Sequence, residues 1–295
     1  ELGGLEDQTP RFRYLFRRLC QSVDLIVNNV AEELNHSLFQ PISFELGFGE
    51  HGALPPVELT VDGITLSISG IVDRVDGWEK NGRLYLRVVD YKTGKKSFNL
   101  TDVWHGLEMQ MLLYLFTLEG TGERIYHQMP AAAGVLYLPA RDLILSGSRS
   151  ITVAQRQKEV DQKLRRSGML LNDPELLGAM EQVEAGGKPR FLPVKVSSRT
   201  GAITGDSLAT AEQWGKLHQH VDKVLRDIAG EIATGNIDAD PYLRAGNRSY
   251  CDFCDYADAC HFEEGSGRDC HRYLYSVKGK RFWEEAGTNE KERGE

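Results

Sequence analysis

Asp73, Asp90 and Lys92 are the residues of this chain whose types and spacing point most directly to chemistry. Gly70-Ile-Val-Asp-Arg-Val-Asp76 reads as one strand and Leu84-Tyr-Leu-Arg-Val-Val-Asp-Tyr-Lys92 as the next. Asn81-Gly82 between them is a two-residue hairpin signal that needs positive φ at both positions. With those two as the loop, Lys80 faces Arg83 and Asp73 faces Asp90. Facing side chains leave the sheet on one side with β-carbons roughly 4.5–5.5 Å apart, and Lys92, two residues beyond Asp90, shares that side. Opposed like charges destabilise a hairpin, so a divalent cation is the natural counter-charge. Hydrolysis of a phosphodiester asks for such a set: a cation to neutralise developing charge and acidify a water, and a positive group to steady the nucleophile or phosphate.

The competing reading is an exposed hairpin with scattered charges, in which Asp76 opposite Arg87 is an ordinary cross-strand pair. The Val, Ile and Leu content of both strands favours a central position instead, where an Asp–Asp pair without counter-charge is costly.

A second group lies near the C-terminus. Cys251, Cys254 and Cys260 have C-x₂-C-x₅-C spacing, close enough for thiolates to hold zinc or an iron–sulfur cluster. Three ligands leave one position open, with Cys270, Cys20 or, for zinc, His261 as candidates. Gln110 and Tyr114, four residues apart, share one helical face.

The 295 residues are 41% hydrophobic and 26% charged with a net charge of -8, an ordinary composition for a globular protein with a substantial core. The acidic balance argues against a broad basic surface for polyanions but leaves room for local clusters, among them Arg11, Arg13, Arg17 and Arg18, and Lys92, Lys95 and Lys96. No apolar run approaches the ~20 residues of a membrane span, and no secretory signal opens the chain. Five cysteines are too few for a disulfide scaffold and suit a reducing compartment, so the expected location is the cytoplasm. The first residue, Glu1, is expected to belong to a piece of something longer. No G-x-x-x-x-G-K-[ST] loop is present to cradle ATP.

Apolar periodicity predicts a long amphipathic helix over residues 11–34, with Cys20 as a buried thiol beside its stripe. Residues 41–48 read as extended. Val57–Val61 and Ile64–Ile68 flank a second hairpin turn, Asp62-Gly63. A helix capped by Thr101 or Asp102 is expected to run to about Leu118, and Gly134–Leu138 to form a buried strand. That strand–strand–helix–strand order implies a mixed α/β core. Two short helices (Ala154–Arg166, Pro174–Val183), a strand at Leu192–Val196 and a second long helix from Leu208 to Ile232 follow. The tail beyond Gly265 is polar, with Gly287–Glu295 expected to be disordered.

Gly70-Ile-Val-Asp-Arg, Val89-Asp-Tyr-Lys-Thr-Gly94 and Gln110-Met-Leu-Leu-Tyr114 resemble the nuclease module of the PD-(D/E)XK superfamily, RecB-like branch. The cysteine segment, with Phe39-x-Pro41, Phe44-Glu45-Leu46 and Gly106-Leu107, is similar to the AddB (RexB) subunit family of bacterial ATP-dependent helicase–nucleases, over roughly Arg11 to Phe262. The resemblance implies a restriction-endonuclease-like α/β fold: a mixed sheet flanked by helices, with a cysteine-stapled C-terminal segment. It implies an N-terminal helix and lead-in strand (1–50), a nuclease core with insertions (51–205), a long helix with the cysteine cluster (206–265) and a polar tail (266–295). It assigns the catalytic roles to Asp73, Asp90 and Lys92, with Mg²⁺ or Mn²⁺ on the two aspartates, strand positioning to Gln110 and Tyr114, and a weaker phosphate-contact role to Lys95 and Lys96. It implies that Cys251, Cys254 and Cys260 hold a four-iron–four-sulfur cluster. The family completes that cluster with a cysteine upstream of the nuclease core, absent from this chain, and places a further metal-ligating histidine on an early helix, for which His36 is the nearest candidate. The implied partners are single-stranded DNA from unwound duplex and a helicase–nuclease partner subunit, in double-strand-break repair, with no membrane. A non-catalytic DNA-binding or scaffolding module, stapled by zinc, is the alternative.

Overall fold

Asn81 and Gly82 take φ of 51° and 72°, the left-handed pair that a two-residue hairpin turn demands. In the computed structural model, which describes residues 4, 8–94, 96–143, 151–183, 187–197, 199–244, 246 and 248–286, this turn joins the two central strands. In chain order the elements are α1 (Pro10–Asn35), β1 (Gln40–Phe48), β2 (Val57–Val61), β3 (Ile64–Ile68), β4 (Gly70–Lys80), β5 (Arg83–Lys92), α2 (Leu100–Trp104), α3 (Gln110–Thr121), α4 (Glu123–Tyr126), β6 (Ala131–Pro139), α5 (Val153–Leu164), β7 (Ser167–Leu171), α6 (Pro174–Met180), β8 (Lys195–Val196), β9 (Ile203–Thr204), β10 (Leu208–Ala209), α7 (Ala211–Ala233), β11 (Tyr242–Arg244), β12 (Arg248–Ser249), α8 (Ala257–Cys260), β13 (Arg272–Tyr273) and α9 (Gly279–Glu285). They fall into two compact units: Glu1–Pro56, Ser69–Phe98 and Gln110–Trp214, and Val57–Ile68, Asn99–Met109 and Gly215–Glu295.

The first unit is built on a six-stranded sheet ordered β1-β4-β5-β6-β7-β10. β5–β6 and β7–β10 run parallel and the other neighbours antiparallel, so the sheet is mixed and flanked by helices, as a restriction-endonuclease-like fold requires. Leu136, Leu138 and Leu170 of the sheet pack with Leu176, Leu177 and Met180 of α6 and with Leu192 and Val194. α3 packs on β5 and β6 and buries Met111, Leu112, Leu115 and Leu118 completely or nearly so.

In the second unit, Asp62 and Gly63 turn the β2–β3 hairpin with φ of 50° and 81°, and β12-β11-β13 form a small sheet. Trp104 of α2 stacks on His220 of α7 at 5.1 Å and meets Phe282 of α9 edge-on at 5.8 Å. Burial pushes the His220 imidazole below its ordinary value, against the Val103 carbonyl at 3.2 Å. Among the described residues no helix is long and apolar enough to cross a membrane.

Several expectations change. The helix expected from Thr101 to Leu118 is two helices, because Gly106 and Glu108 adopt φ of 76° and 55°, and Asn99 rather than Thr101 or Asp102 caps the first. The apolar stripe of α1 stays exposed at Leu15, Leu19, Val23 and Val27, Cys20 beside it is exposed, and the buried residues of this helix are the polar Asn29 and Glu33. Strand β7 had no sequence signal: Ser167-Gly-Met-Leu-Leu171 lacks β-branched residues. Its Gly168 admits the neighbouring strand, since a Cβ there would lie 1.9 Å from the Val135 carbonyl oxygen. Leu208 and Ala209 form a strand before α7 begins at Ala211. Of Leu192–Val196, only Lys195 and Val196 pair as a strand. The polar tail holds α9, anchored by fully buried Phe282. Lys95 and Gly287–Glu295 lie outside the described residues.

Candidate active site

The register of the central hairpin runs without a shift from Lys80↔Arg83 to Arg74↔Val89. One step further, Asp73 comes opposite Asp90. The ladder opens there, and the Asp73 side chain takes over: its Oδ2 accepts the Tyr91 backbone N–H at 2.9 Å. Across the sheet Asp90 pairs with Tyr137, and Tyr137 with Ser167. Asp73, Asp90, Tyr137 and Ser167 therefore form one row over four strands, with side chains on one face.

Lys92 Nζ lies 2.6 Å from Asp90 Oδ2 and 5.6 Å from the Tyr137 ring centroid. The Asp90 carboxylate is 6% exposed and the lysine 23%. Despite the short ion contact, Asp90 Oδ2 has no hydrogen bond of acceptable direction, so a buried anionic oxygen keeps coordinating capacity. Burial raises the Asp90 pKa above its ordinary value, Lys92 opposes that shift, and the Asp73 charge adds to it. Lys96 also lowers it, so the Lys92–Lys96 segment is close enough to act on the carboxylates.

Hard oxygens of this kind suit Mg²⁺ or Mn²⁺. Mg²⁺ keeps several waters and takes one or two protein carboxylates plus substrate phosphates, so Asp73 and Asp90 fit it. Among the described residues no group of three or more His, Cys, Asp or Glu converges as a metal-holding cluster. His36, at the C-terminal end of α1, bonds the Glu32 carbonyl at 2.7 Å.

Gln110 opens α3 and donates through Nε2 to the Tyr114 hydroxyl at 2.6 Å. The Tyr114 ring packs edge-on to Phe48 at 5.2 Å. Both rings rest on Gly70, where a Cβ would come within 2.8 Å of each. The structure thus places this pair three residues before Asp73 on the same strand, bonded to each other and not to the carboxylates.

A model of the PD-(D/E)XK nuclease superfamily matches residues 3–261. The chain belongs to this superfamily. It is also similar to AddB proteins, each named as a subunit of an ATP-dependent helicase/deoxyribonuclease. It is 33% identical to that of Acetivibrio thermocellus over 96% of this chain and 24% of the relative. For the Clostridium acetobutylicum protein the identity is 30%, over 99% of this chain and 26% of the relative. For that of Geobacillus thermodenitrificans it is 33%, over 96% and 24%. The chain thus spans about a quarter of the length of these relatives.

Two features of this PD-(D/E)XK chain escaped the sequence reading. Tyr137 carries no motif, and only the β5–β6 register brings it under Lys92. On the other face of the hairpin, Arg74, Asp76 and Arg87 are fully buried. Asp76 Oδ2 accepts from Arg74 Nη2 at 3.0 Å and Arg87 Nε at 2.8 Å, while Arg74 Nε lies 2.9 Å from Asp76 Oδ1 as an ion contact outside hydrogen-bond geometry. Glu33 of α1 reaches Arg166 at 2.7 Å, Arg87 at 3.3 Å and Arg74 at 3.8 Å. Burial alone would raise the Glu33 pKa, but Arg87, Arg166 and Arg74 outweigh it and hold the carboxyl below its ordinary value. The Asp76–Arg87 facing pair, read as the sign of an ordinary surface hairpin, is the buried heart of this network.

Cys251, Cys254 and Cys260 are free thiols; the first two are half-buried and Cys260 is exposed. A 3₁₀ turn at Tyr250–Phe253, with the Cys254 N–H on the Cys251 carbonyl at 3.3 Å, and α8 carry them. The structure does not gather them into a metal-holding group.

Proposed function

We propose that this chain is a metal-dependent deoxyribonuclease module that hydrolyses phosphodiester bonds of single-stranded DNA. The observation that carries the reading is the row that sets Asp73 and Asp90 side by side with the Lys92 ammonium against them. PD-(D/E)XK nucleases typically use divalent metals; when bound, the cation supplies charge neutralisation and a more acidic water. Asp73 and Asp90 hold it. The Tyr91 N–H keeps the Asp73 carboxylate turned toward Asp90. Lys92 steadies the attacking water or the scissile phosphate, and the Tyr137 ring confines its ammonium to the site. Gln110 and Tyr114 shape the approach of the strand beside Gly70.

The relatives' name implies a longer protein in which a helicase partner drives unwinding with ATP while this module trims the emerging strand as an exonuclease during double-strand-break repair. Cys251, Cys254 and Cys260 supply three of the four thiolates of a four-iron–four-sulfur cluster, with the fourth ligand from elsewhere. Absorption near the blue end of the visible spectrum supports that cluster; a colourless protein with bound zinc counts against it.

The deciding experiment is Mn²⁺-dependent cleavage of a labelled single strand. Activity that disappears in Asp90→Ala and Lys92→Ala, with circular dichroism unchanged, supports the assignment. Equal cleavage in the native chain and both variants removes it and leaves a DNA-binding or scaffolding module.

A further inference from the structure

A cavity of about 560 Å³ lies in the first unit, away from the carboxylate row, and is lined by Lys158, Arg165, Lys188, Arg190 and Lys195, with Asp161 as the single acid among the described residues. So dense a set of cations is unexpected on a chain whose net charge is -8. The cations differ in how they are held. Arg190 is neutralised by Asp161 at 2.9 Å and by Glu32. Arg165 is half-buried and fixed by neutral groups: Nε donates to the Leu192 carbonyl at 2.8 Å and Nη2 to that of Val194. Its orientation is locked without a carboxylate cancelling its charge. Lys158, Lys188 and Lys195 are exposed around it.

Lys158 and Arg165 lie seven residues apart along α5 and its C-cap, on one face and about 10 Å apart along the axis. A second cavity of about 570 Å³ shares Arg165 and Lys195 with the first. Cations spread along a helix face and across two adjoining cavities suit a chain of anions better than one compact anion. Among the described residues no aromatic side chain lines either cavity, so there is no platform for base stacking. We infer that this basic cavity is an accessory site for the phosphodiester backbone of a nucleic acid strand, read by charge and not by base. The choice of nucleic acid over an acidic peptide rests on the nuclease reading above. Arg165 is two residues from Ser167, the last member of the row that holds Asp90. A strand of a few nucleotides can therefore meet both places.

The test is fluorescence anisotropy of a labelled oligothymidylate with the full chain in EDTA, so that neither metal binding nor cleavage enters. Lys158→Glu, Lys188→Glu and Lys195→Glu combined should weaken binding at least tenfold at low salt. The slope of log affinity against log salt should shrink by about 0.7 for each phosphate that is no longer neutralised. A Gln triple at the same positions guards against misfolding and should show the same trend, smaller. Charge reversal at Arg226, Lys278 and Lys280 of the second unit is the matched control. Undetectable binding by the native chain, no change in the cavity variants, an equal loss in the control, or displacement of the strand by polyglutamate at equal charge would each overturn the inference. Mn²⁺ binding and cleavage are scored separately: if they fail while the cavity variants still bind the strand more weakly, the nuclease reading falls and the accessory site stands.

Discussion

The Lys92 ammonium sits 5.6 Å from the centroid of the Tyr137 ring while touching Asp90 at 2.6 Å. A lysine on a flexible stem is thereby held by an anion on one side and a π face on the other. Tyr137→Phe keeps the ring and should leave cleavage close to native. Tyr137→Leu removes the cation–π attraction, and loss of ~0.5–2 kcal/mol predicts a kcat lower by roughly 2- to 30-fold, with the alkaline limb of the pH–rate profile moved. Equal kcat and equal pH profiles in the Phe and Leu variants would show that the ring only fills space.

Asp90 should make the fold less stable at neutral pH than a neutral residue would. Its pKa is raised by burial and by Asp73 against the opposing Lys92. Its contribution to stability is therefore full below the ordinary value of 3.8 and lost as pH rises through the higher folded value. In the absence of metal, Asp90→Asn should raise the Tm at neutral pH, with the gain shrinking on acidification. Mn²⁺ should raise the Tm of the native chain and not of the variant. A variant that melts lower at neutral pH would refute this.

Glu33 works in the opposite sense. Its carboxyl is held below its ordinary value of 4.5 by three arginines, so its contribution is present above that value and disappears as pH falls through the lower folded one. Glu33→Gln leaves Arg74, Arg87 and Arg166 with Asp76 as their nearest anion. Breaking a buried ion network of this type costs ~3–5 kcal/mol. Urea unfolding at neutral pH should show that loss, narrowing in acid; a change below about 1 kcal/mol, the typical effect of a single substitution, would mean the network is not coupled.

Gly70→Ala tests how the Gln110–Tyr114 pair is seated. The new Cβ would meet the Phe48 and Tyr114 rings at 2.8 Å, and rigid rings yield poorly, so a cost of ~1–3 kcal/mol is expected. Tyr114→Leu in the same background should recover part of it. Without recovery, the strain lies in the backbone and not in the ring contact.

Local chemistry carried much of this protein. Asn81-Gly82 set the hairpin turn, and the two-residue period of a strand then placed Asp73 opposite Asp90 and Lys92 on their side, because every step is fixed by bonded geometry over a few residues. The long helices α1 and α7 were legible for the same reason, through apolar periodicity. What periodicity could not supply was the identity of the neighbours. It marked the apolar stripe of α1 for burial, yet Asn29 and Glu33 are what the helix buries, because the sheet face they meet is lined with arginines contributed by β4, β5 and the start of β7. It read one helix where Gly106 and Glu108 divide two. It was silent on β7, whose residues lack strand propensity and pair only because Gly168 lets Val135 approach.

Tyr137 and the basic cavity belong to the same class. Tyr137 reaches Lys92 through a parallel pairing, and the cavity gathers cations from α5, the 187–190 segment and β8. Sequence alone determined the turn, the register and so the acidic pair, since those depend on adjacent residues. Tertiary structure decided which side chains surround that pair, because contacts between distant segments are chosen by packing and charge compensation, which no local spacing encodes.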